Sequence, residues 1–175
     1  MSAPSQALSP EFAVAYREMM LQGLAGEMQT TKKVIAAIPD AKRDYRHDPK
    51  SRTAWELAWH LASVDVQFLE EIAEGVFKMD PRYKDQEPKT VAEMVAWYDK
   101  NFTRAAEKVR AMTPEQLVKS VNFYGMFDYP AVVYLSFLNN HSVHHRGELA
   151  TYLRPMGSKV PSIYGPSADE EVQAA

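Results

Sequence analysis

The sequence predicts an all-α protein, a four-helix bundle with long connecting loops. Three observations carry this. Four segments repeat apolar residues at steps of three and four, the spacing of one helical face. All four run beyond twenty residues, which favours a bundle. Few segments alternate with period two, so essentially no sheet is expected.

The first helix is expected from about Glu11 to Ile38, with Pro10 near its start and Pro39 stopping it. The second runs from about Thr53 to Glu74. Ser51 or Thr53 can cap it, Thr53 stands three residues before Glu56 as in a capping box, and Gly75 ends it. The third starts after Thr90 and reaches about Met112, where Thr113-Pro114-Glu115 opens a short helical turn. The fourth runs from about Pro130 to Arg154, with a proline suited to the first turn and Pro155 at the end. The connections at 39–52, 75–89 and 113–129 exceed the tight loops of a simple up-down series, so at least one can cross the end of the bundle. Residues 1–9 read as a flexible leader, 10–165 as the bundle and 166–175 as a polar, mobile tail.

A chain of 175 residues points to one domain with a core of useful size. A formal charge of −3 gives no basic face for nucleic acid. No window holds eighteen uncharged apolar residues, so no membrane span is expected. Met1 to Pro10 lacks the basic start and apolar run of a secretory signal, which makes the cytoplasm the expected compartment. Without cysteine there are no disulfides, thiolate ligands or cysteine nucleophiles.

Histidine supplies the chemistry instead. A stripe on the fourth helix can be traced through Tyr134, Leu138, His141, His145, Leu149 and Tyr152 or Leu153. His141 and His145 then stand where that face would otherwise place leucine. Four residues apart, they differ in direction by only about 40° on a helix and can share one metal ion. On the second helix His60 sits in the apolar run Trp55 to Ala62 and is expected to be buried. A buried imidazole must satisfy two ring nitrogens, and three facing one interior can do so by sharing a cation. His144 competes for the role, but it points about 100° away from His145. His47 lies in the charged loop Lys42–Lys50 and reads as solvated.

Three imidazoles without thiolates suit zinc, nickel, iron or copper rather than magnesium or calcium. Three protein ligands leave a position open, the mark of a catalytic site. That position can take a water, giving a hydroxide for hydrolysis, or a substrate thiolate. Glu148, seven residues from His141, is a candidate fourth ligand, base or acceptor behind an imidazole. Glu56, four before His60, is a second tentative catalytic candidate, and Asp65 a weaker one. Arg146 and Arg154 read as surface pairs or anion contacts. The aromatic run Val121–Tyr129 before the fourth helix fits a pocket mouth, a cover over the bundle end or a dimer surface, with Gly125 as a turn.

The segments Thr53-Ala54-Trp55-Glu56-Leu57-Ala58-Trp59-His60-Leu61-Ala62 and His141-Ser142-Val143-His144-His145-Arg146-Gly147-Glu148-Leu149, followed by Tyr152-Leu153-Arg154 and Gly157-Ser158-Lys159-Val160-Pro161, resemble the DinB/YfiT-like metalloenzyme family over nearly the whole chain. The resemblance implies an up-down-down-up helix order, often a homodimer, and a zinc or nickel ion on His60, His141 and His145; the imidazole ligands leave iron as a third choice. Where that family commonly has glutamine after Arg-Gly, this chain has Glu148, so a carboxylate there is not needed for metal binding. Some relatives are transferases that activate a low-molecular-weight thiol on the metal. The expectation is therefore a metal-dependent thiol transferase acting on a small molecule. A hydrolase using metal-bound hydroxide and a non-enzymatic metal-binding or interaction module are the alternatives.

Overall fold

The computed structural model describes residues 8–170. The leader expected over residues 1–9 lies outside them except for Leu8 and Ser9, as do residues 171–175 of the expected tail. Four long helices, α1 (Pro10–Ala36), α2 (Ala54–Glu74), α3 (Val91–Arg110) and α5 (Tyr134–Leu153), are joined by a short helix α4 (Pro114–Val118) and a hairpin of β1 (Ser120–Phe123) and β2 (Phe127–Pro130).

Local chemistry sets the helix ends. The Ser9 hydroxyl accepts the Phe12 N–H at the start of α1, and Pro10 occupies the first turn. Thr53 and Glu56 form the expected capping box: the Thr53 hydroxyl takes the Glu56 N–H, and the Glu56 carboxylate takes the Thr53 N–H at 2.7 Å. Gly75, at φ +67°, ends α2 in the left-handed conformation, which costs glycine no Cβ clash.

Contacts between the helices give their directions. Lys32 pairs with Asp99 and Glu18 with Arg110, so α1 and α3 are antiparallel. Asp65 meets Tyr98 and Glu70 meets Lys108, so α2 and α3 run parallel. Tyr152 reaches Arg52 while His141 reaches Asp65, so α5 is antiparallel to α2. The order is up-down-down-up. Parallel neighbours need a long return. The sixteen residues from Gly75 to Thr90 supply it, reaching about 50 Å if extended against the roughly 30 Å of α2.

This return segment runs over the outer face of α2. Arg82 pairs with Glu70 and Glu74, Tyr83 donates to Glu70, and the Lys78 N–H donates to Glu71. Glu70 is 4% exposed and also meets Arg104 and Lys108. Burial by itself would raise its carboxyl, but Lys108, Tyr83 and Arg104 outweigh that and hold it below the usual range.

Two expectations are corrected. The hairpin replaces the expectation of essentially no sheet. Its four residue pairs run from Ser120–Pro130 to Phe123–Phe127. Tyr124 and Gly125 both have positive φ (53° and 80°) and the Met126 N–H returns to the Phe123 carbonyl, as a tight hairpin turn requires. The hairpin covers the bundle end. Phe123 packs on Phe77 and Tyr134, and the Tyr134 hydroxyl donates to the Val121 carbonyl. The second correction concerns α5. Its buried stripe passes through Leu138, Ser142, Arg146 and Leu149, so His141 and His145 sit on its flank and are half-buried, as is His60. Among the described residues no helix is long and apolar enough to cross a membrane.

Candidate metal centre

His60 projects from the first half of α2, and His141 and His145 from the middle of α5, which runs antiparallel beside it. The Nε2 atom of His60 lies 3.3 Å from Nε2 of His145 and 3.3 Å from Nε2 of His141. One donor nitrogen from each ring falls within 4.8 Å of the others.

The far side of two rings is backed by carboxylates. Nδ1 of His141 lies 3.0 Å from Oδ1 of Asp65, and Nδ1 of His145 lies 3.1 Å from Oε2 of Glu148. A neutral imidazole facing a carboxylate through Nδ1 carries its proton there and leaves Nε2 as an acceptor. Two acceptors thus face His60, which has one Nε2 and can donate to only one of them. One lone pair is left facing another nitrogen. A cation shared by all three rings resolves the conflict, so the donor set fits a divalent transition metal.

The electrostatics suit ligands that must be neutral. Burial, helped by Arg52 and the neighbouring imidazoles, pulls His60 from the usual histidine range down to about 3. Burial also lowers His145, with Glu148 acting in the opposite direction.

A groove of about 320 Å³ opens beside His60 between the outer face of α2 and the return segment, with Trp59, Val64, Pro81 and Tyr83 among its walls. A second hollow of about 240 Å³ shares Val64, Gln67 and Pro81 with it and extends to Glu71 and Tyr124. The hairpin therefore both covers the bundle end and borders this trough.

The other candidates fall elsewhere. Glu56 borders the groove, but its carboxylate is engaged in the helix cap. Glu148 stands behind His145. His144 is exposed on the neighbouring face, its ring 4.8 Å from that of His145. With His145 and Glu148 it forms a second, more exposed group of donor atoms. His47 is exposed yet held by Tyr45 and Thr151. Arg154 makes the surface pair expected of it, with Asp169. Arg146, in contrast, is 1% exposed and joins Glu27, Thr31 and Tyr164. Spacing alone makes Asp65 the weaker candidate, yet it stands directly behind the cluster. Five residues from His60 it lies off that histidine's face, and its partner is His141, on another helix. The available signal was an acidic residue inside the apolar run of α2.

A family model described as DinB family matches residues 9–173. The chain is 26% identical over 148 residues to the uncharacterized protein YrdA of Bacillus subtilis (strain 168), covering 82% of this chain and 85% of that one. Its fold resembles a crystal structure of a DinB-like protein from Bacillus cereus ATCC 10987 at a TM-score of 0.71, with 24% identity and coverage of 84% of this chain and 97% of that one. It also resembles a DinB-like protein, YjoA, from Bacillus subtilis, at a TM-score of 0.64 and 20% identity, covering 79% and 92% of the two chains. With the family model spanning almost its whole length and the same bundle in these neighbours, the chain belongs to the DinB family.

Proposed function

We propose that His60, His141 and His145 hold one divalent transition metal, zinc or nickel foremost, and that the centre activates a small thiol for transfer to an electrophile. The convergence of three Nε2 atoms, with His60 also lining a groove, supports this reading most directly. A dication there would favour the ionised form of a thiol. The chain's own residues do the rest. Asp65 and Glu148 orient two of the imidazoles, and Trp59, Val64, Pro81 and Tyr83 offer an apolar wall on which a small substrate can lie. The carboxylates also favour thiol transfer over hydrolysis. Asp65, Glu148 and Glu56 are each engaged, by His141, His145 and the Thr53 N–H, so none of the three is poised as a base for water. A thiol is more acidic than water, so on a dication it would ionise without a protein base, its proton passing to solvent.

The test is a screen of low-molecular-weight thiols, glutathione among them, against a model electrophile on zinc- or nickel-loaded protein. Thiol consumption that a chelator stops is the expected result. Ester or amide turnover without thiol would replace this reading with a hydrolase. No metal-dependent turnover of either kind would leave a metal-binding or interaction module.

A further inference from the structure

The Asp65 carboxyl group lies in the core of the bundle, 0% exposed. Its Oδ2 accepts the Tyr98 hydroxyl from α3 at 2.8 Å and the Ser142 hydroxyl from α5 at 2.5 Å, while Oδ1 faces His141 Nδ1 at 3.0 Å. Tyr98 is 1% exposed and Ser142 2%. A buried carboxylate carries a large desolvation cost, and an apolar side chain could fill the same space without it. The two hydroxyls satisfy one oxygen and also fix the direction of the other, which points at a ring whose far nitrogen lies in the three-histidine cluster. Glu148 occupies the equivalent place behind His145, but its side chain is 38% exposed and water competes for it.

We propose that Asp65 is the positioning residue of this centre. Clamped by Tyr98 and Ser142, it holds His141 in the tautomer with Nδ1 protonated and Nε2 free, and it sets the affinity of the site for a divalent cation by acting through that ring. The inference rests on the three-histidine metal reading and adds that a buried second residue on α2, five positions from His60, governs it.

The experiment is a zinc competition titration against a chromophoric chelator on the full chain and its Asp65→Asn variant, with 15N NMR of the histidine rings in both metal-free proteins. Asn keeps the shape of Asp but presents an amide that cannot accept from all three donors. The expected result is about one zinc per wild-type chain and an affinity roughly 10- to 100-fold weaker in the variant. The NMR should show His141 with a protonated Nδ1 in the wild type and losing that preference in the variant. His145, held by Glu148, should keep its tautomer, a difference that general loosening of the fold would not give. Equal zinc affinity in the two proteins would overturn the role of Asp65 while leaving the metal site standing. A wild type that binds no zinc, nickel or iron would overturn the metal reading itself. Should the variant fail to fold, the wild-type spectrum decides alone: His141 protonated on Nε2 instead of Nδ1 would overturn the proposal.

Discussion

His144 and His145 are adjacent in sequence, yet their environments differ. His145 faces α2 with its side chain 15% exposed and Nε2 3.3 Å from His60, whereas His144 is exposed on the next face. Replacing His145 with Ala is therefore expected to abolish metal binding and replacing His144 with Ala to spare most of it, as elemental analysis of tag-free protein would read out. Metal retained by the His145 variant would point instead to the outer His144 and Glu148 donors. The same residues predict a pH dependence. His60 is shifted from 6.5 down to about 3, so below 6.5 the unfolded chain binds a proton that the folded chain does not. The stability contributed by the neutral ring is present above pH 6.5 and is lost as pH falls toward 3. In the metal-free protein, urea unfolding across this window should show a shallower decline for His60→Leu than for the wild type. An unchanged slope would mean that the ring is not held neutral.

At the scale of elements, α2 was the most legible. Its capping box and terminal glycine are written in consecutive residues, because caps depend on partners three or four positions away. Thr53→Ala should cost about 1 kcal/mol of stability, measured by denaturant midpoint, without changing the metal content per chain. The hairpin was not legible. Its strands are four residues each. β1 does alternate, with Ser120 and Asn122 exposed and Val121 and Phe123 turned inward, but β2 does not, and a four-residue run is the shortest that marks a strand. The Tyr124-Gly125 turn carried the other local signal. On α5 the expected core stripe runs through His141 and His145. A second stripe at the same spacing, through Ser142 and Arg146, is not one the sequence singles out, because arginine is rarely buried. The second is the core, because Glu27 and Tyr164 from distant parts of the chain satisfy the guanidinium.

At the scale of the whole molecule, Arg146 ties α1, α5 and the segment beyond α5 through Glu27, Thr31 and Tyr164. Arg146→Leu removes the charge partner of the partly exposed Glu27, which keeps the Tyr164 hydroxyl, and a loss of about 1–3 kcal/mol is expected from urea unfolding. Because the proposed metal joins α2 to α5 and would bind the folded chain alone, it should also stabilise the whole bundle. Free zinc at a hundred times its Kd would add about 2.7 kcal/mol, seen as a thermal midpoint that rises with zinc and falls with chelator. A midpoint indifferent to zinc, nickel and iron would count against the site. The sequence by itself determined the helices, their caps, the all-α class and the three histidines, since these follow from periodicity and near-neighbour chemistry. The tertiary structure decided which face of α5 is core, that His60 meets His141 and His145, and that Asp65 rather than Glu56 stands behind the cluster. Those facts depend on helices brought together across some eighty residues of chain, where spacing along one helix carries no information.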